Sequence, residues 1–112
     1  MEITVERRES VTILSISGSV DGLTSADLST AFRQEAAAGQ TRLIADFAGV
    51  DYTSSAGLRA LLETVKEARR QGGDLRLAAV RPDVLRVLEL SGFTGILKLF
   101  PDVASAAASF AG

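Results

Sequence analysis

Apolar and polar residues alternate over the first seventeen positions. Ile3 and Val5 share one face of a segment spanning residues 2–7, and Val11, Ile13, Leu14 and Ile16 mark a second segment over 11–17. Alternation at period two predicts two strands, and Arg8-Glu9-Ser10 between them predicts a tight hairpin turn. The period then changes. After a loop over Gly18–Gly22 carrying Asp21, Leu28 and Phe32 stand four apart, and the helix they predict ends at Gly39. Thr24 is the expected N-cap, with Asp27 three residues on as in a capping box, and Leu23 and Leu28 at the positions of a hydrophobic staple. Residues 42–47, with Leu43, Ile44, Ala45 and Phe47, form the short apolar run of a buried central strand.

The strongest pattern follows. Leu58, Leu61, Leu62 and Val65 fall at i, i+3, i+4 and i+7, predicting an amphipathic helix that starts near Ser54-Ser55 and stops at Gly72-Gly73. Arg59–Glu63 and Glu63–Lys66 are spaced to pair on its outer face, and Arg69 and Arg70 suit its C-terminal dipole. Leu75 and Leu77 flank Arg76 in a further strand. Pro82 opens a helix carrying Val84, Leu85 and Leu88 and ending at Gly92. Residues 96–100 predict a last strand, and Pro101-Asp102 a terminal helix to about Phe110. The expected order is β-β-α-β-α-β-α-β-α in one domain over 1–112. Three strand–helix–strand units make an α/β fold with a mixed sheet, mostly parallel, with an antiparallel N-terminal hairpin.

Composition narrows the chemistry. The chain has no cysteine, histidine or tryptophan. Disulfide frameworks, Cys/His zinc sites and histidine-based nucleophile systems are therefore excluded. The net charge of −2 offers no basic excess for a nucleic-acid backbone. No stretch reads as a signal peptide, and no apolar run approaches the roughly 18 residues that span a bilayer. A cytoplasmic location is expected, as a monomer or weak dimer.

Chemistry concentrates before the amphipathic helix, in Phe47-Ala48-Gly49-Val50-Asp51-Tyr52-Thr53-Ser54-Ser55-Ala56-Gly57-Leu58. Three consecutive hydroxyls precede the helix, where one suffices as a cap. A phosphoserine there would meet the free N–H groups of the first turn and the positive end of the helix dipole. Gly57, lacking a Cβ, would let a partner approach the backbone. Asp51, with Asp21 and Asp46, would make the corner acidic. On the residues alone the plain cap is the stronger reading. A magnesium-dependent phosphoryl site on Asp21, Asp46 and Asp51 is disfavoured, because no P-loop is present and neither Lys66 nor Lys98 is near in sequence. No catalytic residue, cofactor or metal ligand is expected. Tyr52 is expected to pack in the loop.

Four segments in order resemble one family. They are Ser17-Gly18-Ser19-Val20-Asp21 with Thr24, then Asp46-Phe47-Ala48-Gly49-Val50, then Tyr52-Thr53-Ser54-Ser55-Ala56-Gly57-Leu58-Arg59, and lastly Gly72-Gly73-Asp74 with Leu90-Ser91-Gly92-Phe93. The chain resembles the bacterial anti-sigma factor antagonists, which are single STAS domains. The resemblance implies a non-enzymatic binding module for an anti-sigma factor that is also a serine kinase. In that scheme the kinase phosphorylates a serine, binding is lost, and a serine phosphatase resets the switch. Aligned on Gly57-Leu58, the phosphorylated serine falls on Ser55. Ser54 stands where the family has an acid, and Ala56 precedes the glycine. The implied contact residues are Asp21, Thr24, Ser54, Ser55, Ala56, Gly57 and Arg59. A STAS subunit of a lipid-transport or stressosome-like complex, without a phosphoswitch, is the alternative.

Overall fold

The computed structural model describes residues 1–111. Strands β1 (Glu2–Arg8) and β2 (Val11–Val20) form the N-terminal hairpin. Helix α1 (Ser25–Ala37), strand β3 (Arg42–Thr53), helix α2 (Ser55–Arg70) and strand β4 (Asp74–Ala78) follow. Helix α3 (Pro82–Leu90), a 3₁₀ turn at Phe93–Gly95, strand β5 (Lys98–Phe100) and helix α4 (Val103–Ala111) complete the order. The five strands lie side by side in chain order. The β1–β2 pair is antiparallel and the remaining pairs are parallel. This is the expected mixed α/β architecture.

Strand alternation divides the core into two layers. Leu14, Ile16, Leu43, Ala45, Leu75 and Leu77 point into the larger one, where Leu28 and Phe32 of α1, Leu58, Leu61 and Val65 of α2, and Val84 and Leu88 of α3 meet them. Their intervening neighbours Ile13, Ile44 and Ala78 join Val11 and Ala106 in a smaller layer packed by α4. Successive right-handed crossovers that step in one direction across the sheet put α1, α2 and α3 on the same face. Strand order never reverses, so the sheet lacks the crevice that opens at a reversal in doubly wound folds. The C-terminal ends of its strands therefore present a surface.

The strands run further than the apolar pattern shows. β2 continues through Gly18, Ser19 and Val20, and β3 continues through Ala48 to Thr53. Segments expected as loops are thus paired strand, with Ser17 opposite Gly49, Gly18 opposite Val50, Ser19 opposite Tyr52 and Val20 opposite Thr53. Irregularities between Ser15 and Ser17, and between Gly18 and Ser19, carry the pairing through. Such bulges twist the ladder and disguise its period. Gly49 fits the first of them: a Cβ there would stand 2.8 Å from the Ser17 Cβ.

Local expectations fare unevenly. The staple does not form, because Leu23 is 88% exposed while Leu28 is fully buried. The Arg59–Glu63 and Glu63–Lys66 pairs are not among the ion pairs of the described residues. Arg70 pairs with Glu67 at 2.5 Å, and Arg69 reaches Asp74 at 2.8 Å. That second contact belongs to a buried cluster. Arg76 donates to the other Asp74 oxygen at 3.0 Å and to the Ser109 hydroxyl at 2.7 Å, and its guanidinium lies 3.9 Å from the Phe110 ring centre.

Candidate functional site

Two helix starts meet at the C-terminal ends of β2 and β3. Because Val20 pairs with Thr53, Asp21 and Ser54 leave adjacent strands side by side. The Ser54 N–H donates to the Val20 carbonyl at 2.8 Å, so the two chain exits are hydrogen-bonded together. A single residue then joins β3 to α2.

That residue is the cap. Ser54 has extended backbone angles, and its Oγ accepts from the Gly57 N–H at 3.3 Å. Its carbonyl accepts from the Leu58 N–H at 3.0 Å, the first helical bond. Ser55 is the first helical residue and is exposed. Among the described residues its hydroxyl makes no hydrogen bond. The two adjacent serines therefore differ in kind: one completes the backbone, and the other is available. Arg59, also exposed, lies one turn along the helix from Ser55, on the same face.

Gly57 seats the helix on the sheet. It is buried, and a Cβ on it would meet Thr53 Oγ1 at 2.5 Å and Val20 Cγ1 at 2.8 Å. Inside the molecule, the close approach it permits is the first turn of α2 seating on the ends of β2 and β3. Ala56, half-buried, stands beside it.

The Asp21 turn is tied just as firmly, by a pattern other than the expected cap. Asp21 Oδ1 accepts from the Leu23 and Thr24 N–H groups, each at 2.9 Å. Those two backbone donors hold the Asp21 carboxyl below its ordinary pKa, with Thr24 contributing most. Thr24 makes no side-chain cap for α1. Its hydroxyl donates back to the Ser19 carbonyl at 2.9 Å and accepts from the Asp21 N–H at 2.8 Å. The threonine thus locks the strand exit, and the expected capping box with Asp27 is absent.

The acidic residues separate. Asp51 lies at this end of the sheet, its Oδ1 accepting from the Ser19 hydroxyl at 3.0 Å. Asp46 does not. It sits within β3 opposite Ser15 and Ala78, accepts from the Ala48 N–H, and is seven residues from Thr53. At the usual rise of a strand that is about 20 Å. Among the described residues no group of three or more carboxylates stands close enough to hold a metal ion.

Two apolar side chains flank the corner without packing into the core. Tyr52 points outward from β3 and is exposed, as is Leu23 in the Asp21 turn. Tyr52 was expected to pack in a loop; in the strand it occupies an outward position, while Thr53 turns inward. Val50 is buried while Asp51 and Tyr52 are both exposed, so the irregularity in the pairing between Gly18 and Ser19 shifts the alternation and sets Tyr52 outward. A cleft of about 160 Å³ between α1 and α2 lies elsewhere, lined by residues such as Phe32, Leu43 and Ala68 and by none of the corner residues. No helix of the described residues is long and apolar enough to cross a membrane.

The model of the STAS domain family matches residues 2–106. A protein of Bordetella bronchiseptica named as an anti-sigma factor antagonist, BtrV, is 32% identical over 110 residues, covering 98% of this chain and 95% of that protein. An anti-sigma factor antagonist structure from Thermotoga maritima superposes with a TM-score of 0.90 at 18% identity, covering 96% of this chain and 92% of that one. The Bacillus cell fate determinant SpoIIAA in its phosphorylated form superposes with a TM-score of 0.76 at 17% identity, covering 97% and 99%. At those identities the two structures speak for the fold alone. With the family model matching nearly the whole chain, this protein belongs to the STAS domain family.

Proposed function

We propose that the protein is an anti-sigma factor antagonist working by partner switching. Unphosphorylated, it binds an anti-sigma factor that is also a serine kinase, which releases a sigma factor. The kinase transfers the γ-phosphoryl group of ATP to Ser55 Oγ. ADP leaves, the serine proton passes to the kinase, and the complex separates. A serine phosphatase hydrolyses the phosphoester and restores binding.

One observation carries this reading. The cap position is filled by Ser54, which leaves Ser55 exposed and, among the described residues, without a hydrogen-bond partner at the positive end of α2. A phosphate there adds roughly −1.5 to −2 charges next to free helix N–H groups. Asp21 and Asp51 already make this end of the sheet negative, so the added charge changes the surface without entering the core. The name of the Bordetella bronchiseptica relative supports the reading. So does the existence of a phosphorylated form of SpoIIAA, a protein of this fold.

The missing acid at position 54 is compatible with it. Asp and Ser are both preferred N-caps, so Ser54 keeps the structural part of that position. The docking surface comprises Ser55 and Arg59 with the exposed Leu23 and Tyr52. Asp21, Thr24, Ser54, Ala56 and Gly57 set its shape from behind. Incubation with the cognate kinase and ATP is expected to add about 80 Da at Ser55. Ser55→Ala is expected to block that addition and keep binding, and Ser55→Asp to abolish binding. Phosphate on another residue, or full binding by Ser55→Asp, would overturn the assignment.

A further inference from the structure

β1 ends the sheet. It pairs with β2 on one side only, and alternate residues direct backbone N–H and C=O groups away from that pairing. Such an edge is a template for another strand. Six of its seven residues are exposed, and Val5, at its centre, is 47% exposed although its neighbour across the ladder is the buried Leu14.

The residues of β1 are self-complementary in one register. Turned antiparallel against a second copy about Val5, Glu2 faces Arg8 at both ends, Ile3 faces Arg7, Thr4 faces Glu6, and Val5 faces Val5. A slip by two residues one way puts Glu6 opposite Glu6. The same slip the other way puts Glu2 opposite Glu6 twice. Directly opposed like charges destabilise a strand pair, so only the Val5-centred register is favoured. Facing directions agree as well. Arg7 reaches Glu35 of α1 at 3.0 Å, so Ile3, Val5 and Arg7 share the α1 side. Glu2, Thr4, Glu6 and Arg8 share the other, where the two charge pairs would form.

We propose that the protein self-associates through β1, joining two sheets into one ten-stranded sheet about a twofold axis at Val5. The interface is isologous, and each copy supplies the same seven residues. An edge of that length buries less than the roughly 1,200 Å² of a standard interface, so the dimer is weak and concentration-dependent. β2 and β3 of the two copies then run in opposite directions. Their Ser55 corners lie at opposite ends of the joined sheet, both open to partners.

Charge exchange tests this. In sedimentation velocity at low salt, the unmodified protein is expected to shift toward dimer as concentration rises to about 1 mM. Glu2→Arg alone and Arg8→Glu alone each set like charges opposite one another at both ends, and each is expected to weaken association about tenfold or more. An equimolar mixture of the two single variants is expected to regain it as a heterodimer, and the double variant as a homodimer. Circular dichroism melting establishes that each variant is folded. A protein that stays monomeric throughout, reversals without effect, or a mixture that associates no better than its components would each overturn the proposal.

Discussion

At the start of β4, Asp74 is buried and receives Arg69, Arg76 and the Leu75 N–H, while Arg76 also holds Ser109. At the far end of the parallel strands, Ser55, Arg59, Leu23 and Tyr52 face solvent around tightly bonded backbone. Both regions are rich in polar groups. In the first, each group is satisfied by another part of the chain. In the second, the backbone is satisfied and the outermost side chains are left over. Groups already bonded within the fold are less free to bond a partner, and the leftover set is the one proposed above for docking. The contrast also gives the two adjacent serines physically different environments, which their residue type alone does not.

Substitutions can break the contrast at graded strength. Asp74→Ala leaves two arginines without their shared acceptor. Arg76 is largely buried but Arg69 is 42% exposed, so the loss is set at the low end for a broken buried pair, about 3 kcal/mol in urea unfolding. Docking by the surviving folded protein is expected to be unchanged. Gly57→Ala drives a Cβ into Thr53 and Val20, and is expected to cost about 2 kcal/mol and to impair docking as well, because α2 must lift. A neutral Gly57→Ala would show that the close seating of α2 is not needed.

The serine pair gives the finer test. Ser54→Ala removes the cap and is expected to cost about 1 kcal/mol. Ser55→Ala is expected to change stability by less than about 0.5 kcal/mol while removing the phosphoacceptor. Equal costs at the two positions would erase the distinction.

The smallest effect concerns pH. The Asp21 carboxyl is held below its ordinary value of 3.8 by the Thr24 and Leu23 N–H groups. The unfolded chain therefore binds its proton first as pH falls. The stabilisation is present above the ordinary value and is lost as pH drops through the lowered one. Asp21→Asn is expected to flatten the stability–pH slope in that window, measured by urea midpoints. An unchanged slope would show that the turn contributes nothing in this range. Glu67, brought down to about 2 by Arg70 and Gln71, gives the same sign on the outer face of α2 and serves as a control distant from the corner.

The parts legible in the sequence are those set by local periodicity. Leu58, Leu61 and Val65 define α2, and Leu75 and Leu77 define β4, because burial of one face repeats at the period of the element. The element order and the hairpin followed from the same signal. β3 beyond Phe47 was hidden because Ala48, Gly49 and Asp51 look like loop residues, and because bulges displace the alternation. The Thr24 lock was hidden because a threonine before a helix is compatible with either role. The Asp74 cluster was hidden because its partners come from α2, from β4 itself and from α4. From the residues alone Ser55 was one of three hydroxyls; the family resemblance pointed to it, and the hydrogen bond to Ser54 gives a physical difference between the two serines.

Ser54 alone connects β3 to α2, with its N–H, carbonyl and hydroxyl all engaged. A joint that short leaves no hinge and no slack. The modification proposed at Ser55 would then act through its own charge rather than by moving the backbone on either side. The state of the molecule would be written in one covalent bond, and its duration would be the lifetime of that bond against hydrolysis. Nothing in the corner would relax on its own to erase it.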